Sequence, residues 1–186
     1  MKKLICLIWI GLWISSVAFA RDAIEFQHKR LKRSLKKFDI EGFESLRHIR
    51  IPDSLNNNYY INGRFFHIAS ANNPMQYVYV GRVNSCRSGG CSASGTGKQQ
   101  GATSEYFDYF MFLDQNRAVQ FVKVFNYQAT HGYEIMSGGW LRQFEGYSGD
   151  DPLQVGTQID GISGATISVH AITADINEKL DILNAL

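Results

Sequence analysis

Between Glu105 and Phe125 two runs suited to β-strands flank four polar residues. Glu105 to Leu113 carries Tyr106, Phe107, Tyr109, Phe110 and Phe112. Ala118 to Phe125 follows after Asp114-Gln115-Asn116-Arg117. This pattern predicts a hairpin, and so dense an aromatic cluster reads as sheet core rather than as a cofactor platform. Gln76 to Val83 alternates and predicts another strand. Tyr59-Tyr60-Ile61 and Arg64 to Ile68 flank Asn62-Gly63, a pair suited to the positive φ angles of a type I′ turn, so a second hairpin is expected there. With 186 residues, 45% hydrophobic and 19% charged, the chain has the length and composition of one packed domain. No internal repeat or clean linker interrupts it. The expected fold class is α+β: a twisted antiparallel sheet with flanking helices in a single domain over residues 51–186.

Residues 1–20 read as an address rather than as fold. Lys2 and Lys3 precede an apolar run from Leu4 to Trp13, and small residues end in Ala18-Phe19-Ala20, the layout of a secretory signal cleaved after Ala20. The competing reading is an anchoring helix, but Leu4 to Ala20 is interrupted by Gly11 and Ser15-Ser16 and is marginal for a bilayer. Cys6 lacks the small preceding residue that a lipid-attachment site needs. The expectation is export, to the periplasmic or extracytoplasmic side of a membrane.

Export bears on the cysteines. Beyond the signal only Cys86 and Cys91 remain, separated by Arg-Ser-Gly-Gly. An oxidising compartment favours a structural disulfide; a redox-active pair is the alternative, although the spacing is not Cys-x-x-Cys. The surrounding residues 84–104, rich in Ser and Gly, read as a loop.

Residues 21 to about 48 read as a basic amphipathic helix, assigned to a segment 21–50. Ile24, Leu31, Leu35 and Phe38 share a stripe, while Lys29, Arg30, Lys32, Arg33, Lys36 and Lys37 crowd the rest. The charged face suits either an anionic membrane surface or plain solvent, and a solvated face on a packed helix is the commoner use of such runs. Charge over the whole chain is balanced. Two of the 19 Lys and Arg lie in the signal, leaving 17 against 17 Asp and Glu. That balance argues against a nucleic-acid binder driven by a basic surface. The histidines show no metal-ligand spacing. Gly95-Thr96-Gly97-Lys98 fails as a phosphate loop, with Ser92 where a glycine is required and Gln99 where Ser or Thr is.

The chemistry concentrates in Asp160-Gly161-Ile162-Ser163-Gly164-Ala165-Thr166-Ile167-Ser168. A helix follows, with Ile172, Ile176, Leu180 and Leu183 on one face and Asp175, Glu178 and Asp181 elsewhere. Ser163 is the expected N-cap, which puts Thr166 in the first turn. Unsatisfied backbone N–H groups and the helix dipole favour a phosphate there. The small residues leave the Thr166 hydroxyl approachable, and a hydroxyl can carry a phosphoester. On these grounds alone, an anion site and an ordinary helix start both remain open.

The string Asp-x-x-Ser-Gly-Ala-Thr resembles the flavin attachment motif of the FMN-binding domain family, which includes flavin-bearing subunits of sodium-pumping quinone reductases and of Rnf-type electron-transport complexes. The resemblance implies that a flavin transferase joins FMN through its phosphate to Thr166, with Asp160, Ser163, Gly164, Ala165 and Ser168 around it. Gly101-Ala102-Thr103-Ser104, with Gln100 in place of the motif serine, is not expected to be modified. The family often shows Glu-Thr-Pro-Gly followed by Trp and Phe. Here Ala129-Thr130-His131-Gly132 is followed by Trp140 and Phe144. Thr130 and Gly132 match, Ala129 and His131 depart, and His131 becomes a candidate replacement for the glutamate. Trp140 and Phe144 also suit ordinary helix packing at i, i+4 spacing. The resemblance spans about residues 75–183.

It implies an exported electron-transfer flavoprotein with FMN on Thr166, relaying electrons between a membrane-side donor and an acceptor that the sequence does not identify. Outside the cytoplasm a tether keeps a cofactor at high local concentration. No catalytic base or nucleophile triad stands out, which favours relay over stand-alone turnover. The alternative is an exported, disulfide-stabilised binding module that holds FMN reversibly or not at all. A third reading lets Cys86 and Cys91 exchange electrons with the flavin.

Overall fold

From Phe107 to Leu113 every residue is buried, which a strand achieves only when both its faces are covered. A computed structural model, describing residues 23–56, 59–70, 72–87 and 104–186, shows how. The elements run α1 (Lys29–Lys37), β1 (Leu46–Ile49), α2 (Asp53–Asn56), β2 (Gly63–Ile68), β3 (Met75–Arg87), β4 (Ser104–Asp114), β5 (Val119–Tyr127), α3 (Gly138–Leu141) and α4 (Thr166–Asn184). The strands form one antiparallel sheet in the order β1-β2-β3-β4-β5. The chain is thus an α+β domain, an open sheet with flanking helices. Phe107, Tyr109, Met111 and Leu113 of β4 face α4, where Val169, Ile172, Ile176, Leu180 and Leu183 complete the larger core. Phe110 and Phe112 face the other way, into a second core with Leu31 and Leu35 of α1. The period-2 alternation of the strand divides one aromatic run between two layers.

The expected hairpin at 114–117 is present. Asp114 Oδ1 accepts from the backbone N–H groups of Asn116 (2.8 Å) and Ala118 (3.0 Å), and Arg117 takes a left-handed φ of 63°. The β5 edge is covered: Val119 N–H donates to the Tyr147 carbonyl and Gly146 N–H to that of Val119.

Three expectations are corrected. Asn62-Gly63 is no type I′ turn, since neither residue has positive φ. Gly63 instead opens β2 and lies opposite Gly81 of β3. A side chain at either glycine would collide with the Tyr79 hydroxyl, so the pair serves to seat that buried ring. The helix expected over 21–48 is confined to Lys29–Lys37, and Leu46–Ile49 is a strand paired with β2. The stripe itself holds: Leu31 and Leu35 are fully buried, while Ile24 and Phe38 pack against the same core. Ser163 does not cap α4. The N-cap is Ala165, and it makes no side-chain cap bond.

The face of α4 turned to the sheet also carries charge. Lys179 is completely buried, its Nζ 3.0 Å from Asp175 Oδ1 and 3.4 Å from Glu178 Oε1, and it donates to the Tyr60 carbonyl at 3.0 Å. Tyr109 donates to Asp175 Oδ2 at 2.7 Å. Asp175 therefore points inward rather than to the solvated face. Burial pushes its carboxyl above the usual range, against the opposing pull of Lys179 and Tyr109.

Candidate functional site

The start of α4 meets the segment after β5, which brings together two motifs that lie over thirty residues apart in sequence. Gly132 is buried with a left-handed φ of 91°. A Cβ there would stand 2.9 Å from Tyr127 Oη, 3.0 Å from Ser168 Oγ and 3.3 Å from the Ala165 Cα, so only glycine lets the 130–132 segment close on the helix.

A chain of hydroxyls locks this junction. Tyr127 Oη donates to the His131 carbonyl at 2.5 Å and lies 3.1 Å from Ser168 Oγ, which lies 2.8 Å from Ser85 Oγ. With the single tyrosine proton committed to His131, Ser168 must donate to Tyr127 and Ser85 to Ser168. Burial raises the Tyr127 pKa, so the phenol keeps its proton at neutral pH. Thr130 Oγ1 donates to Glu105 Oε1 at the opening of β4. The ends of β3, β4 and β5 thus converge on the first turn of α4.

The approach to that turn is held from the other side. Trp140 Nε1–H donates to the Asp160 carbonyl at 2.9 Å, and Asp160 N–H donates to Gln143 Oε1 at 2.8 Å. Trp140 and Phe144 meet edge-on, 5.5 Å between ring centroids, but not within one helix, because α3 ends at Leu141 and a 3₁₀ turn follows. Gly164 has a left-handed φ of 83° and nothing within 4 Å of where a Cβ would lie. Ala165 is buried, whereas Asp160, Ser163, Gly164 and Thr166 are exposed.

Thr166 is thus an exposed residue at the start of a 19-residue helix whose opening lacks a side-chain cap. The first-turn N–H groups stay available to an anion. This donor set fits the phosphate of FMN, and among the described residues nothing lies within 4 Å of where a Cβ would stand at Gly161 or Gly164. Thr130 and His131 lie exposed beside it. His170, one turn past Thr166, borders a cleft of about 320 Å³ shared with Leu153, Val155, Thr173 and Asn177.

Sequence reasoning missed Ser85, Glu105, Tyr127 and Gln143. Their roles depend on where strands end, for which no local pattern is a signal. The Cys86–Cys91 pairing and the signal at residues 1–20 fall outside what the structure describes. Among the described residues no cluster of His, Cys, Asp and Glu could hold a metal ion.

Fold and site together define a small α+β domain that offers a hydroxyl and helix-start amides to a phosphate-bearing ligand. Residues 105–181 match the family model of the FMN-binding domain, which identifies this stretch as such a domain, the chain as a flavoprotein and FMN as its cofactor. No curated protein and no solved structure matches the chain. The matched stretch starts at β4 and contains the hairpin, the 130–132 segment and nearly all of α4. The resemblance expected from about residue 75 is thus matched from residue 105.

Proposed function

We propose that this chain is an exported redox carrier that holds FMN covalently, as a phosphodiester on Thr166 Oγ1, and passes electrons between a membrane-side donor and a second protein. The observation that carries covalency is the exposed Thr166 hydroxyl on an uncapped helix start with an open glycine approach. A second observation points the same way. Residues 129–132 and 160–170 contain no Lys or Arg, the side chains that reversible phosphate sites usually recruit. A tethered phosphate needs only the backbone donors.

Ester formation needs an activated donor. A flavin pyrophosphate supplies it: Thr166 Oγ1 attacks the phosphorus bearing the riboflavin half and the P–O–P bridge breaks. The other half leaves as a nucleoside monophosphate, and the hydroxyl proton passes to a base of the flavin transferase. Once attached, FMN supplies the one- and two-electron chemistry. The protein fixes the attachment point through Gly132, Ser168 and Tyr127, and frames the approach with Trp140 and Gln143.

Co-expression with a flavin transferase should raise the intact mass by one FMN less one water, and Thr166→Ala should abolish the gain. Flavin fluorescence should stay with the denatured band on a gel. An unmodified wild-type chain under those conditions rejects the ester and leaves reversible binding.

A further inference from the structure

We propose that the solvent face of α1 docks this domain on an anionic lipid bilayer, with the flavin site turned away on the opposite face of the sheet. The packing of α1 fixes which residues remain for a partner. Its apolar stripe is consumed by the sheet, with Leu31 and Leu35 fully buried, so the helix has no apolar face left to insert. What remains outside is cationic. Lys29, Lys32, Arg33, Lys36 and Lys37 are exposed, α1 contains no acid, and none of these side chains has a carboxylate partner among the described residues. Glu25 and Asp39, the nearest acids in sequence, lie beyond its two ends. The sheet adds to the same face. Arg64 lies opposite Val80 and Lys123 opposite Phe110, and both of those partners belong to the α1-side core.

The balanced total charge conceals a division. Residues 21–87 hold 12 Lys and Arg against 6 Asp and Glu, and residues 88–186 hold 5 against 11. The acids include the exposed Asp181 of α4, across the sheet from α1. A plane of negative charge would orient such a molecule with α1 inward.

Lipid is favoured over an acidic protein by what the face lacks. Protein interfaces centre on aromatic and apolar anchors and are depleted in lysine. None of the exposed large hydrophobic residues among those described lies on α1. A lysine-rich surface without anchors suits a bilayer, where charge density alone suffices. The expected signal, ending eight residues before α1, brings this segment to a membrane during export.

The test uses the chain as purified from exporting cells, mixed with vesicles of phosphatidylcholine alone or with about one-third phosphatidylglycerol. Wild type should partition at least about tenfold more strongly onto the anionic vesicles, and raising salt from about 0.05 M to 0.5 M should remove the preference. Lys32→Glu/Arg33→Glu/Lys36→Glu should weaken anionic-vesicle binding on the order of a hundredfold. Lys32→Gln/Arg33→Gln/Lys36→Gln should fall between, both with unchanged circular dichroism. Any retained leader is common to all variants and cancels. Equal binding to both vesicle types, triple variants that bind like wild type, or preference for a soluble polyglutamate over the vesicles would each overturn the proposal. The Thr166 mass measurement is independent of all these outcomes.

Discussion

Two glycines border the surroundings of Thr166, and each has its own reason to be glycine. Gly164 is left-handed in open space, so Gly164→Ala should cost only its conformational penalty, about 1 kcal/mol. Gly132 is left-handed and also wedged between Tyr127, Ser168 and Ala165. Gly132→Ala should cost more, about 2–4 kcal/mol, and should lower flavin loading by parting the 130–132 segment from α4. Urea midpoints and flavin-to-protein absorbance ratios compare the two variants directly. Equal costs would show that the close packing at Gly132 contributes nothing. Asn62-Gly63 shows why such reasoning needs three dimensions. The dipeptide reads as a turn, but its glycine is explained by a tyrosine ring two residues before Gly81 on the neighbouring strand.

At the level of elements, α4 carries both the candidate threonine and a buried ion pair. Lys179→Met would leave the Asp175 carboxyl buried without its cation and should destabilise by about 3–5 kcal/mol. The pH response has a definite sign. Burial raises the Asp175 pKa above its ordinary 3.8, so the folded protein holds that proton more tightly than the unfolded chain does. The contribution of this group to stability therefore falls as pH rises through the window above 3.8. Asp175→Asn removes the titration, so its stability relative to wild type should improve as pH rises across that window. Denaturant titrations at several pH values test this, and a flat difference would refute it. The strands at 76–83, 105–113 and 118–125 were legible because their patterns are long and regular. The inward side of α4 was less so: its apolar positions and the i, i+4 spacing of Asp175 and Lys179 are local, but the burial of that pair against Tyr109 and Tyr60 is not. β1 was hidden because four residues are too few to establish a period, and its strand character comes from pairing with β2.

For the molecule as a whole, β4 is shared by two cores, so a change on one side of the sheet should be felt on the other. Leu35→Ala, in the α1 layer, should cost about 2–5 kcal/mol. It should lower the unfolding midpoint equally by far-ultraviolet circular dichroism and by the near-ultraviolet aromatic band. Two separated transitions would mean that the layers unfold independently. The family resemblance was readable in one dimension, whereas the setting of residues 160–168 was not. Thr130 and Gly132 could be matched by pattern, but only the converging strand ends show what they touch: Glu105 for Thr130, and the hydroxyl chain from Tyr127 to Ser85 around Gly132.

The hydrogen bond from Trp140 to the Asp160 carbonyl has a practical corollary. Beyond residue 20 this is the sole indole in the sequence, and it is fastened to the segment that leads into Thr166. Tryptophan emits where isoalloxazine absorbs, so excitation energy should pass from one ring to the other whenever the flavin is in place. Dimming of the indole emission would then gauge cofactor occupancy in real time. Trp140→Phe should remove the signal without removing the yellow colour.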